Sequence, residues 1–227
     1  MMNASLKKYW ERARECYDLK ELERLGLTPT LEQRDMFLTF FALIFKWNKA
    51  AGLISPKDED NLFVRHFCDS LQPLLLFGFK KNASALDIGA GGGFPSIPTA
   101  VFRPDLKMIL VESNRKKAQF LLEVKKEINL PNVEIFNGRV ETMVKDKRQF
   151  DYILSRGLGT LRVFARLAQP LCHPEGRMYT FKSKSFAAEL EEIANEEKKD
   201  GVRIAEIAEY DLANKILGLN LVSLAVK

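Results

Sequence analysis

The run from Ala85 to Phe94 constrains this chain more than any other stretch. Ala85, Leu86 and Ile88 are a short apolar run that reads as a buried strand, with Asp87 near its end. Gly89, Gly91, Gly92 and Gly93 follow, and Phe94-Pro95 opens a segment that reads as a helix. Glycines in such a turn permit positive φ and remove the Cβ atoms that would hold a ligand off the backbone. A glycine-rich strand-to-helix turn therefore cradles a nucleotide-like ligand at the carboxyl edge of a parallel sheet.

The rest of the chain supports that sheet. Lys107 to Val111, Val133 to Phe136, Phe150 to Leu154 and Arg177 to Phe181 read as further strands. Helices are expected between them, from Asn114 to Ile128 with Ala118, Phe120, Leu121, Leu122 and Val124 inward, and from about Thr160. Such alternation implies an α/β fold, a mostly parallel sheet flanked by helices. A helix from Ser185 to Lys199 and two strand-like runs, Val202 to Tyr210 and Leu221 to Val226, are read as a closing antiparallel pair with its helix.

Residues 1–82 read as a helical amino-terminal region packed on a core of residues 83–227. One helix is expected from about Ser5 to Leu25, with Gly26 as its stop. Its Lys7, Lys8, Arg12 and Arg14 are interleaved with Glu11 and Glu15, so they read as a solvated face. A second begins near Thr30, which forms a capping box with Gln33, and buries Leu31, Phe37, Phe40, Phe41, Ile44 and Phe45. A third starts at Ser55-Pro56 with Ser55 as cap, pairs Arg65 with Asp69 four residues on, and carries His66 as a structural histidine.

The glycine turn lacks the third glycine of a dinucleotide fingerprint, because Phe94 stands in its place. Asp87-x-Gly89-x-Gly91 is instead similar to the acid-x-Gly-x-Gly pattern of S-adenosyl-L-methionine (AdoMet) methyltransferases. AdoMet has no pyrophosphate, and it carries an ammonium that a nearby carboxylate can offset. Other residues at carboxyl ends of strands then acquire roles. Glu112 would accept from ribose hydroxyls, Val140 and Glu141 would border adenine, and Ser155-Arg156 would face the methyl group and substrate. No Asn/Asp-Pro-Pro-Tyr loop follows the fourth strand, and no cysteine lies in a Pro-Cys pair. An exocyclic adenine nitrogen and pyrimidine carbon five are thereby disfavoured. Guanine N7 or a base-activated oxygen remain.

Composition adds boundaries. The net charge of +5 is a mild bias towards polyanions. Cys16, Cys68 and Cys172 lie far apart and only two histidines exist, so reduced thiols and no metal are expected. The amino terminus has no secretory pattern, and the apolar run Phe37 to Phe45 is too short to span a membrane. A cytoplasmic monomer is the expectation.

The motif set resembles one family, the bacterial 16S ribosomal RNA guanine-N7 methyltransferases, also called the glucose-inhibited division protein B family. The resemblance is carried by Trp47-Asn48, by Arg65-His66-Phe67-Cys68-Asp69-Ser70-Leu71 and by Leu86 through Pro98. It continues through Val111-Glu112-Ser113, Arg115 to Leu121, Gly138-Arg139-Val140-Glu141, Ser155-Arg156 and Gly176 to Lys182. Departures are Ser96 and Ser183, where the family usually has glycine, Gly157, where it has alanine, and the stretch after Asn48. The resemblance implies a Rossmann-like methyltransferase fold with AdoMet contacts at Gly89, Phe94, Glu112, Val140, Glu141 and Arg156. It implies 16S rRNA or a partly assembled small ribosomal subunit as substrate, with Arg115, Lys116, Lys117 and Arg139 as candidate phosphate contacts. A methyltransferase acting on another RNA site or a small molecule is the alternative, as is an AdoMet-binding assembly factor without turnover.

Overall fold

A computed structural model describes residues 6–183, 186–213 and 216–227. The amino-terminal segment is two helices rather than one, α1 (Lys7–Cys16) and α2 (Leu19–Arg24). Tyr17 turns to extended backbone and Asp18 caps the second helix, its side chain accepting from the Glu21 N–H at 3.3 Å. An aspartate there competes for the backbone and starts a new helix more readily than it continues an old one. Ser5, the expected start, lies outside the described residues. Arg12 ion-pairs with Glu59 at 2.8 Å and rests over the Phe45 ring, so it fastens α1 and is not free for a ligand.

Helix α3 (Leu31–Ala51) begins with both halves of the capping box: Thr30 Oγ1 accepts from the Gln33 N–H at 3.1 Å, and Gln33 Oε1 accepts from the Thr30 N–H at 3.0 Å. Phe37, Phe40, Phe41 and Ile44 are fully buried. Leu31 is not part of this face and is 78% exposed, because the helical phase turns it well off the arc of Phe37, Phe40, Phe41 and Ile44.

The expected third α-helix is a 3-10 turn, Pro56–Asn61, running into a π-helical segment, Leu62–Cys68. The Ser55 side chain makes no cap bond. A π turn takes more than four residues, so positions four apart no longer stack. Arg65 accordingly pairs with Asp58 at 3.2 Å and not with Asp69, which turns inward. A short α4 (Gln72–Leu76) leads to the sheet.

The core is built from β1 (Ser84–Ile88), α5 (Ser96–Phe102), β2 (Lys107–Glu112), α6 (Arg115–Glu127), β3 (Val133–Asn137) and β4 (Phe150–Ser155). It is completed by α7 (Leu161–Ala168), β5 (Cys172–Lys182), α8 (Ala187–Asp200), β6 (Val202–Leu212) and β7 (Ile216–Val226). The seven strands lie in the order β3-β2-β1-β4-β5-β7-β6, and only the pairings that involve β7 are antiparallel. Chain order reverses between β1 and β4, which opens a crevice at their carboxyl ends. Strand β5 is longer than expected: Cys172 pairs with Phe150 and Arg177 with Tyr152, so Pro174-Glu175-Gly176 is a bulge within the strand rather than a turn before it. Ser185, the expected start of the penultimate helix, is outside the described residues.

Side-chain alternation splits the core into two layers. Leu86, Ile88, Ile109, Val111 and Ile153 face α7 and α8, while Ala85, Met108, Leu110 and Leu154 face α3, α5 and α6. Leu122 falls past the arc that Phe120, Leu121 and Val124 bury, and is 51% exposed. The three cysteines are free thiols, and burial pushes Cys16 up to about 11 and Cys172 up to about 12. No described helix is long and apolar enough to cross a membrane.

Candidate functional site

The turn after β1 is wound tightly by its own backbone. The Gly89 and Ala90 N–H groups both donate to the Val111 carbonyl, at 2.9 and 3.0 Å, and the Gly93 N–H donates to Ala90 at 2.7 Å. Gly93 has φ +83°, and a Cβ there would lie 2.7 Å from Ile97 Cγ1 and 3.4 Å from Phe40. Gly93→Ala combines left-handed strain with a clash in the core. We expect it to lower unfolding free energy by about 2–4 kcal/mol. Urea unfolding of the purified protein measures this, and a loss below about 1 kcal/mol would show that the turn has room to relax.

Beside this turn is a cleft of about 240 Å³ lined by Gly89, Val111, Ser113, Arg139, Val140 and Glu141. It sits at the carboxyl ends of β1, β2 and β3, so the fold gathers four of the sequence-predicted positions. A Cβ on Gly89 would come within 3.2 Å of Leu158, on the cleft's far wall. Val140 is buried and Glu141 exposed, at the start of the 3-10 turn Val140–Asp146.

Glu112 is 7% exposed, and its carboxylate braces the turn: Oε2 accepts from the Gly91 N–H at 2.8 Å and Oε1 from the Asn114 N–H at 2.7 Å. Each oxygen keeps a second lone pair for a hydroxyl donor. Asn114 then caps α6 by accepting from the Lys116 and Lys117 N–H groups. Arg115, Lys116 and Lys117 thus stand at the positive end of a helix dipole, the wrong end for cations. None of the three makes an ion pair among the described residues. Arg139 is exposed at the cleft mouth.

Asp87 is fully buried beneath the turn. Its Oδ2 accepts from the Ser96 hydroxyl at 2.6 Å, and its Oδ1 has no partner. Burial raises its pKa from 3.8 to about 7, against the pull of the Ser96 hydrogen bond and Arg156 and with the push of Glu112. An orphaned carboxylate oxygen next to a glycine cradle fits a ligand that brings a cation, as AdoMet does. The Ser155 hydroxyl donates to the Ile88 carbonyl at 2.8 Å and ties β4 to β1 across the crevice.

Arg156 lies on the other side of the turn. Its Nη1 donates to Asp69 Oδ2 at 3.2 Å, and its Nη2 stands 2.6 Å from His66 Nδ1. The guanidinium also sits 5.2 Å from the centroid of Phe94. Phe94 itself is 4% exposed and packs between Phe40 and His66, so it supports the site from behind rather than lining the cleft. His66 is not a fully satisfied structural histidine: its Nε2 lies 3.5 Å from Asp58 Oδ2, outside hydrogen-bond geometry. Burial, then the Arg156 cation, lower its pKa to about 4. The ring is therefore neutral near pH 7, with Nδ1 as acceptor and the proton on Nε2.

Sequence reasoning assembled the glycine turn and strand ends but not this second cluster. The run Arg65 to Leu71 held the signal for His66 and Asp69. Tyr210, whose hydroxyl donates to Asp69 at 2.5 Å, gave none. Among the described residues no group of His, Cys, Asp or Glu would hold a metal ion.

Comparison with known proteins bears on the family and the fold. Residues 33–216 match the family model described as rRNA small subunit methyltransferase G. The chain is 34% identical over 181 residues to ribosomal RNA small subunit methyltransferase G of Streptococcus pyogenes, covering 78% of this chain and 76% of that one. It is 33% identical over 195 residues to the protein of the same name from Staphylococcus aureus, covering 85% and 82%. Among solved structures, TrmN from Thermus thermophilus aligns with TM-score 0.55 at 15% identity over 70% of this chain and 48% of that one. Precorrin-6y C5,15-methyltransferase from Geobacter metallireducens aligns with TM-score 0.52 at 16% identity, over 78% and 92%. These two likenesses bear on the fold alone.

Proposed function

The chain belongs to the rRNA small subunit methyltransferase G family, and on that premise we propose that it methylates guanine N7 of 16S ribosomal RNA with AdoMet as donor. The observation that carries the reading is the unpartnered, buried Oδ1 of Asp87 beneath the glycine turn that ends β1. Bound AdoMet supplies an electrophilic methyl carbon on a sulfonium sulfur. Asp87 offsets the ammonium of the donor, and Gly89 and Gly91 allow its close approach. Glu112 holds the ribose hydroxyls with the lone pairs that the turn leaves open. Val140 and Glu141 border the adenine.

Guanine N7 has a free lone pair and needs no base. The groups around Arg156 suit that requirement: His66 is neutral, and its Nδ1 is already engaged by the guanidinium. Arg156 donates to guanine O6 and orients the ring, and much of the rate comes from such placement. Arg115, Lys116, Lys117 and Arg139 take RNA phosphates, which would give the three α6 cations the counter-charge they lack in the protein. We infer that the enzyme acts as a monomer in the cytoplasm on a partly assembled subunit. Among the described residues its exposed large apolar side chains include Leu31, Leu122 and Leu217, on three different elements.

The test is methyl transfer from labelled AdoMet to small subunits from a strain lacking this gene, with naked 16S RNA in parallel, followed by nucleoside analysis. Label in N7-methylguanosine is expected, with subunits the better acceptor. Label in another nucleoside would move the substrate assignment, and saturable AdoMet binding with no transfer to either acceptor would overturn the reading.

A further inference from the structure

We propose that Asp69 and Tyr210 are positioning residues for Arg156, fixing how its guanidinium meets the substrate base. The proposal rests on the reading of Arg156 as the group that orients guanine.

Three distant parts of the chain meet at one carboxylate. Asp69 follows the π-helical segment, Arg156 follows β4, and Tyr210 lies on β6 of the closing hairpin. Asp69 is 7% exposed and uses both oxygens: Oδ1 accepts from the Tyr210 hydroxyl at 2.5 Å, and Oδ2 accepts from Arg156 Nη1 at 3.2 Å. The other terminal nitrogen of Arg156 stands 2.6 Å from His66 Nδ1. Its cation is 5.2 Å from the Phe94 ring centroid. Both ends of the guanidinium are therefore held by the protein, and Tyr210 fixes the carboxylate that holds one of them. The π winding makes this possible, because it turns Asp69 inward and leaves Arg65 to Asp58.

The reaction gives this clamp a purpose. A free arginine takes guanine by O6 and N7 together, with two N–H donors. That pose occupies the N7 lone pair that must attack the methyl carbon. A guanidinium committed to Asp69 and His66 has its plane set by the protein and not by the guanine, so O6 is held while N7 stays available. Loosening the clamp admits the unproductive two-point pose, which binds substrate well and does not react. Such binding lowers kcat and KM together.

Tyr210→Phe removes one hydroxyl and keeps the ring, and Asp69→Asn keeps the shape of the carboxylate. Each is expected to lower kcat and the KM for the subunit together, by about tenfold. AdoMet affinity and binding stoichiometry should stay at wild-type values, which a partly unfolded variant would not show. In an Arg156→Ala background Tyr210→Phe should change nothing further, because the group it positions is gone. Full turnover by both single variants, with Arg156→Ala impaired, would overturn the clamp and leave the role of Arg156 standing. A Tyr210→Phe effect that multiplies with Arg156→Ala would also overturn it. Wild-type turnover by Arg156→Ala would instead remove the reading on which the clamp rests.

Discussion

Arg156→Ala is expected to lower methyl transfer by about 10²–10³-fold, the usual range when one preorganised donor is removed from an active site. The chain should still fold, and single-turnover assays with small ribosomal subunits measure the loss. The variant tests more than charge. Arg156 links the amino-terminal segment to β4 through Asp69 and His66 and covers the ring of Phe94. Its removal leaves Asp69 buried with Tyr210 as its remaining side-chain partner. Burial already pushes the Asp69 carboxyl up and the Arg156 cation opposes it, so without that cation the group moves further towards its neutral form. Protonation relieves part of the penalty of a stranded buried charge, and a stability loss of about 1–3 kcal/mol should remain.

Arg156→Lys separates the two effects. Lysine restores a positive charge beside Asp69 but is a point donor that cannot span both Asp69 and His66. Stability should recover in large part while turnover stays low. Recovery of turnover in the lysine variant would mean that only charge is needed at this position. Near-normal turnover by the alanine variant would remove Arg156 from the reaction.

The difference between what the sequence showed and what it concealed follows from locality. The glycine turn, the capping box at Thr30 and each of the first four strands are written in fewer than ten consecutive residues. The structure has all three, and it closes the sheet with the expected antiparallel hairpin. From Ser55 to Leu71 the cap and dipole signals favour any helical start and do not distinguish 3-10 and π winding from α. The winding has a chemical consequence. An α-helix would place Asp69 against Arg65, whereas the π segment delivers it to Arg156. The Asp69–Tyr210 contact spans 141 positions and depends on the placement of β6, which no local pattern encodes. Glu112 was legible as a strand-end acid, but its two bonds to the turn and to the α6 cap depend on side-chain direction at that end. Phe94 likewise sat at the right place in the motif, yet its ring turns into the aromatic core beside Phe40.

AdoMet affinity should fall about tenfold for each pH unit below about 7, reaching about 100-fold weaker binding near pH 5. The cause is Asp87, whose carboxyl is raised to about 7 by burial in the absence of ligand. An ammonium placed against Oδ1 interacts with the ionised form, so below pH 7 a proton must leave before or with binding. Stability of the ligand-free protein runs the opposite way. Between about pH 4 and pH 7 the folded chain keeps a proton on Asp87 that the unfolded chain has released, so stability falls as pH rises through that window, by up to about 4 kcal/mol. Asp87→Asn abolishes both slopes. It should match the wild type near pH 4, exceed it in stability near pH 8, and bind AdoMet weakly at every pH. Calorimetry of AdoMet binding across this range, with urea unfolding of the same samples, measures the two slopes. A wild-type affinity that is flat from pH 5 to pH 8 would mean that Asp87 keeps its protonation state on binding, and its assignment as the ammonium's partner would fall. A sloped affinity that persists in Asp87→Asn would move the titrating group elsewhere in the site. Asp87 would then be a residue strained by burial alone, held by Ser96 for the sake of the turn and not for the ligand.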